Sequence, residues 1–244
     1  MGNTILRTNA IPVYGFLSYI HAHREDGEQR TKKVLDCGAG GPVPPVALFA
    51  QHGFDAWGID ISDSQLEKAK AYCTQNEIDV HLHKGDMRRI PFDDQTFDDV
   101  FEHYAMCHLI KREIVQAIGE MHRVLKKGGL CFLGAISSDS FPKTTFGEEQ
   151  APGEYYGKEG EDLTPHSMFT EGEFEKLLTD WEMLSKEKHI NYIQGIERKP
   201  PLDEWMRSYT EAGHGYTREE WRLRYEAHGD EMQYVHLFYI LRKN

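Results

Sequence analysis

The chain has 244 residues, with 28 Lys or Arg against 40 Asp or Glu, so its formal net charge at pH 7 is −12. This length accommodates one large domain with a substantial hydrophobic core. The acidic balance argues against nucleic acid as the default partner, because phosphate binding normally requires a basic face.

The cysteines and the hydropathy pattern indicate the compartment. The four cysteines stand singly in apolar or helical contexts, without a Cys-x-x-Cys pair, at Cys37, Cys73, Cys107 and Cys131. This usage predicts reduced core residues rather than a disulfide framework. The N-terminus lacks a basic-then-apolar signal, and no apolar run approaches ~18 residues. We therefore expect a soluble, cytoplasmic protein, and we leave open whether it is a monomer or a homodimer.

The first third of the chain predicts a cap segment followed by two strand–helix units. Residues 1–30 form the cap, which is apolar in its middle, and the first strand at 33–36 runs into glycines. A second strand at 56–60 leads into a helix whose start is marked by a capping box of Ser62 and Gln65.

Strands and helices continue to alternate up to about residue 134. Further strands are predicted at 79–84, 99–102 and 130–133, and apolar residues at helical spacing predict a helix at 114–125 between the last two. Alternation of this kind favours a parallel sheet with right-handed crossovers.

The pattern changes in the second half of the chain. Residues 135–168 are rich in Ser, Gly, Pro and acids and predict a solvated loop, whereas 195–231 predict an insertion that contains two helices. Strands predicted at 187–193 and 234–241 complete the sheet. Because no second domain-sized break is visible, we treat 1–244 as a single domain.

The most informative stretch follows the first strand, where Asp36 precedes the segment Cys-Gly-Ala-Gly-Gly. Glycines that follow a strand and precede a helix have no Cβ atoms, so their backbone can approach a ligand closely. Asp60, twenty residues after Gly40, ends the second strand and is placed to accept hydrogen bonds from both hydroxyls of a ribose. This combination predicts a cofactor that contains adenosine.

This region resembles the class I S-adenosylmethionine-dependent methyltransferases. That family's first strand reads Val-Leu-Asp-x-Gly-x-Gly-x-Gly, which is matched here except that Pro42 replaces the third glycine. Asp60 matches the family's ribose ligand. The other matching segments are Gly85-Asp86-Met87, Phe97-Asp98-Asp99-Val100-Phe101 and the helix end Met121-His122-Arg123-Val124-Leu125-Lys126-Lys127-Gly128-Gly129. The resemblance covers residues 30–134 and continues more weakly to the C-terminus.

The resemblance implies a Rossmann-like, doubly wound α/β fold. Its mixed sheet would have seven strands, the last of them antiparallel, with helices on both faces. The implied cofactor is S-adenosylmethionine, and in the family the acid of the Gly-Asp-Met turn accepts a hydrogen bond from the adenine amino group. We expect cofactor contacts from Asp36, Gly38, Ala39, Gly40, Asp60, Ile61, Asp86, Met87, Glu102 and Tyr14.

The implied reaction is an SN2 displacement at the sulfonium methyl group, with a small molecule as the acceptor. Because the sulfonium is already a good leaving group, the protein must mainly align the reactants and exclude water. A general base is required only where the acceptor must lose a proton. The catalytic candidates are Glu102, His103 and Tyr104, which follow the fourth strand. We expect no metal, because no fourth ligand converges on His103, Cys107 and His108. Both insertions are expected near the substrate side.

Three alternatives remain open. The first is an RNA or protein methyltransferase, although the Asn-Pro-Pro-Tyr signature of base-methylating enzymes is missing where Glu102-His103-Tyr104-Ala105 stands. The second is a protein that binds the cofactor without catalysis. The third, an NAD-dependent oxidoreductase, is disfavoured because Val43 occupies the position where Gly-x-Gly-x-x-Gly requires a glycine.

Overall fold

The structure is a computed structural model that describes residues 4–23, 32–140, 143–159, 162–194, 202–211, 217–227 and 231–244. The helices are α1 Thr4–Ala22, α2 Pro45–Gln51, α3 Asp63–Gln75, α4 Lys111–Val124, α5 Glu171–Glu175, α6 Leu202–Glu211 and α7 Arg218–Ala227. The strands are β1 Lys33–Cys37, β2 Asp55–Asp60, β3 His81–Lys84, β4 Phe97–Glu102, β5 Leu125–Ser137, β6 Glu148–Ala151, β7 Glu154–Glu159, β8 Asp162–Phe169, β9 Trp181–Gln194 and β10 Glu231–Lys243.

A parallel sheet forms the centre of the molecule. Its strands are ordered β3-β2-β1-β4-β5. The last strand, β10, pairs antiparallel with β5, and β9 pairs antiparallel with β10. The predicted seven-stranded mixed sheet with an antiparallel last strand is therefore confirmed, and three further strands extend it.

The prediction of a loop over residues 135–168 is wrong. This region contains β6, β7 and β8, which form an antiparallel meander. β8 joins the central sheet by pairing parallel with β5. Ile136 of β5 lies opposite Met168 of β8, and Ser137 lies opposite Phe169. Phe146 and Tyr155 are buried here in a small cluster that also contains Cys107. Packing against the main sheet therefore stabilises strands whose own sequences contain few β-branched residues.

The second insertion is helical as predicted, because α6 and α7 both lie within 195–231. The connections at 195–201, 212–216 and 228–230 lie outside the described residues, as does the part of the cap segment at 24–30. None of the described helices combines the length and the apolar composition that a membrane-crossing helix requires. All four cysteines are buried as free thiols.

Helices cover both faces of the sheet, as the sequence predicts. One buried cluster joins α4 and α5 to the sheet, and a second joins α1 and α2 to the opposite face. Phe101 of β4 lies in the second cluster, with its ring centroid 5.3 Å from that of Phe49 and 5.0 Å from that of Phe132. Phe16 of α1 packs on the same ring at 6.1 Å.

We expect Phe101→Ala to lower the free energy of unfolding by about 3–5 kcal/mol, because the change leaves a cavity where three other rings meet. Phe101→Leu keeps most of the buried volume and should cost less than about 1.5 kcal/mol. Urea denaturation followed by circular dichroism measures both values. Equal destabilisation by the two variants would contradict this role for the ring.

Candidate functional site

The glycine bend after β1 is held against β2. The backbone amides of Gly38 and Ala39 both donate to the carbonyl oxygen of Ile59, at 2.8 and 2.9 Å. Gly38 has a φ of +95°, and a Cβ atom added there would lie 2.2 Å from the Cβ of Ala105. Only glycine therefore fits between β2 and the turn that follows β4.

Asp60 is anchored at the rim of the sheet by two backbone amides. Gly40 donates to its Oδ2 at 3.0 Å and Ser62 donates to its Oδ1 at 2.8 Å. Each carboxylate oxygen can accept a further hydrogen bond, so the group is positioned to receive two hydroxyls. The neighbouring Ile61 exposes 59% of its surface and offers an apolar face for a ring.

Asp36 is buried behind the bend rather than at its surface. Its Oδ2 accepts a hydrogen bond from the amide of Val46 at 2.9 Å, in the first turn of α2. The helix cap, Pro44, supplies no such side-chain bond, so Asp36 ties the start of α2 to β1. Burial raises the pKa of this carboxyl to about 8, and the charges of Glu102 and Asp60 act in the same direction.

Glu102 shapes the turn after β4. Its buried carboxylate accepts hydrogen bonds through Oε1 from the amides of Ala105 at 3.0 Å and Met106 at 2.7 Å. Its Oε2 accepts no hydrogen bond of ordinary geometry from the described part of the chain. Burial raises the pKa of Glu102 to about 7, although the backbone amides of Met106, Ala105 and Gly134 oppose the shift. Within this turn, Tyr104 has a φ of +70°, which is strained for a tyrosine.

His103 and Tyr104 contact the last strand of the sheet. The His103 ring lies 5.9 Å from that of His236 and 5.4 Å from that of Phe238, measured between centroids. Burial lowers the pKa of His103 to about 3, so its imidazole is neutral at physiological pH. The hydroxyl group of Tyr104 forms a hydrogen bond with that of Tyr234.

Asp86 is engaged by a cation that the sequence analysis missed. The Arg88 side chain donates to both carboxylate oxygens of Asp86 and also to Glu113 of α4 at 2.9 Å. This hydrogen bonding lowers the pKa of Asp86. The neighbouring Met87 is partly buried, and its Cε points towards Gly38.

Most of the predicted cofactor residues therefore meet at one edge of the sheet. The register places Cys37 opposite both Ile59 and Glu102, and the amide of Gly85 donates to the carbonyl of Asp60. Tyr14 is not brought together with them. Its ring packs edge-on against His52, beyond the C-terminal end of α2, whereas the glycine bend adjoins the N-terminal end of that helix.

Sequence reasoning also missed the residues that the late strands contribute. Tyr234 and His236 alternate along β10, so they share the face that meets Tyr104 and His103. The sequence signal that could have identified them is their two-residue spacing on either side of the apolar Val235.

This arrangement places a glycine bend and several carboxylates at the carboxyl ends of the strands, where open α/β sheets bind their ligands. Residues 34–129 match a protein-family model described as a methyltransferase domain. The chain is 38% identical over 107 residues to sterol 24-C-methyltransferase of Saccharomyces cerevisiae, and 38% over 113 residues to sterol methyltransferase-like 2 of Botryococcus braunii. These matches cover 42% and 45% of this chain. The chain spans only 27% and 28% of the relatives' lengths.

Solved structures share the fold over nearly the whole chain. The YcgJ protein of Bacillus subtilis superposes with a TM-score of 0.68 at 17% identity, covering 96% of this chain and 99% of that protein. A SAM-dependent methyltransferase of Methanosarcina mazei superposes with a TM-score of 0.62 at 18% identity, covering 92% and 96%. The match over residues 34–129 identifies a methyltransferase domain there, and the solved structures share its fold over nearly the whole chain.

We expect Gly40→Ala to weaken binding of S-adenosylhomocysteine by about tenfold or more. A tenfold rise in Kd corresponds to a loss of ~1.4 kcal/mol of binding free energy. The added Cβ would lie 2.4 Å from Oδ2 of Asp60 and would displace the carboxylate or the bend. Gly119→Ala, in α4, is the matched control because its Cβ meets no atom within 4 Å. Isothermal titration calorimetry measures the affinities. Equal affinities of the two variants would show that the bend does not hold this ligand.

Proposed function

We propose that the protein transfers a methyl group from S-adenosylmethionine to a small-molecule acceptor. The observation that carries this proposal is the anchored carboxylate of Asp60 beside a glycine bend that has no room for a side chain. Asp60 would hold the ribose, and the bend at 38–40 would receive the amino-acid end of the cofactor. Ile61 and Met87 would flank the adenine, with Asp86 near its amino group.

The residues present fit this cofactor in charge as well as in shape. Asp36, Asp60 and Glu102 lie close enough for the charges of the other two to raise the pKa of Asp36. A ligand with an ammonium and a sulfonium group would relieve this repulsion between carboxylates. When bound, S-adenosylmethionine supplies an electrophilic methyl group on its sulfonium.

The chain's contribution to the reaction is mainly alignment. Glu102 fixes the turn that carries His103 and Tyr104, and these two side chains would orient the acceptor and exclude water. His103, with a pKa of about 3, is a weak base. This favours an acceptor whose reacting atom needs little help in losing its proton.

The two insertions pack against each other beside Tyr104 and Tyr234. Lys158 of β7 pairs with Glu220 of α7 at 3.4 Å, and Trp221 of α7 is buried. Phe146, in the turn that α7 contacts, packs on Tyr234 at 5.2 Å between ring centroids. The insertions would thus wall the space beyond Tyr104. A small molecule also suits the net charge of −12, and the sterol-methylating relatives support that acceptor class.

We expect Asp60→Ala to weaken S-adenosylhomocysteine binding by about 1–3 kcal/mol, because a charged acceptor of two ribose hydroxyls is removed. Asp63→Ala is the matched control, since Asp63 is a nearby acid that pairs with Lys84 at the surface. Calorimetry at one fixed pH and salt concentration compares the two. Unchanged affinity in Asp60→Ala would contradict the proposed position of the ribose.

Binding of S-adenosylmethionine should strengthen as pH rises from about 6 to about 8. The raised pKa values of Asp36, about 8, and Glu102, about 7, keep these groups partly protonated in the free protein. A bound cation favours their ionised forms, so binding releases protons. Calorimetry in two buffers of different ionisation enthalpy measures that release. Glu102→Gln should reduce it, and a wild-type affinity that is independent of pH would refute this coupling.

A further inference from the structure

A cavity of about 350 Å³ lies between α1 and the sheet, separate from the glycine bend. Gly15 and Tyr19 line it on the helix side, and Phe132 of β5 and Phe238 of β10 line it on the sheet side. This volume falls near the lower end of the range of about 300–1,000 Å³ that is typical of small-molecule sites. The cavity is therefore large enough for a compact ligand.

His103 lies between this cavity and the rim of the sheet. Its ring packs on Phe238 at 5.4 Å and on Phe132 at 6.4 Å between centroids, and both rings belong to the cavity wall. His103 also directly follows Glu102, which ends β4 at the edge where the cofactor residues meet. To reach that edge, a ligand in the cavity would have to extend past the His103 ring.

The wall of the cavity selects for an aromatic ligand without negative charge. Tyr19, Phe132 and Phe238 present ring surfaces, which favour stacked or edge-on contacts with another ring. Within the described part of the chain, no Lys or Arg lines the cavity, so an anion would find no opposite charge there.

The polar end of the cavity accepts hydrogen bonds. His189 of β9 pairs with Glu187 at 2.6 Å between Nε2 and Oε2, and both residues line the cavity. A carboxylate can only accept, so a ligand that binds to its remaining lone pairs must bring an O–H or N–H group. His189 packs on Phe238 at 4.6 Å, which places this pair beside the aromatic wall.

We propose that this cavity binds the methyl acceptor, and that the acceptor is a compact, uncharged aromatic molecule with a hydroxyl or amino group. This assignment rests on the proposed methyl transfer. The ring system lies between α1 and the sheet, and the donor group binds at Glu187. Gly15 lines the cavity on α1, and a Cβ added there meets no atom within 4 Å, so a larger side chain at this position can test the assignment.

The test uses the full chain saturated with S-adenosylhomocysteine and 2-naphthol as a neutral, fluorescent two-ring probe. Gly15→Phe places a ring in the cavity and should weaken 2-naphthol binding by about tenfold or more. Gly119→Phe is the matched control, because it puts the same side chain at another helical glycine with open space. It should bind 2-naphthol as the wild type does, and both variants should keep the wild-type affinity for S-adenosylhomocysteine.

Glu187→Leu supplies a second variant on a different element. The wild type should prefer 2-naphthol to naphthalene by about fivefold, and this variant should lose the preference. Equal binding of 2-naphthol by Gly15→Phe and wild type, or no binding by the wild type, would overturn the inference even if S-adenosylhomocysteine binds. Failure of S-adenosylhomocysteine to bind the wild type would instead refute the proposed function.

Discussion

The tether between the glycine bend and β2 is the constraint on which the rest of the site depends. Two amides of the bend share the carbonyl of Ile59, and a third holds the carboxylate of Asp60. These bonds require close approach of the backbones, which glycine at 38 and 40 permits. Asp36, at the end of β1, accepts a hydrogen bond from the first turn of α2 and so fixes the direction in which that helix leaves the sheet.

The same geometry brings three carboxyl groups together at the site. Placing the carboxyl ends of β1, β2 and β4 side by side gathers Asp36, Asp60 and Glu102 at one edge, where the first and last are buried. Burial raises the pKa of both Asp36 and Glu102, so the free protein favours their protonated forms and the repulsion at this edge is reduced. A cationic ligand at this edge would be stabilised by the ionised forms of the same groups.

The alternation of strands and helices up to residue 134 could be predicted because it depends on local periodicity. The same holds for the glycine bend and for Asp60, whose contacts join segments with a fixed spacing. The meander at 148–169 could not be predicted in this way. Its strands are short and polar, and they form because Phe146, Tyr155 and Met168 find apolar partners elsewhere in the chain.

The composition and motifs of the chain determined its α/β class, the succession of strands and helices up to the fifth strand, and the candidate rim residues around Asp60. These properties follow from local residue patterns, which a linear chain displays directly. Only the tertiary structure decided that Arg88 engages Asp86, that Tyr234 meets Tyr104, and that a cavity lies beneath α1. The Tyr104–Tyr234 contact and the cavity each bring together residues more than a hundred positions apart. Arg88 is also held by Glu113 on α4. Packing rather than sequence spacing therefore sets these contacts.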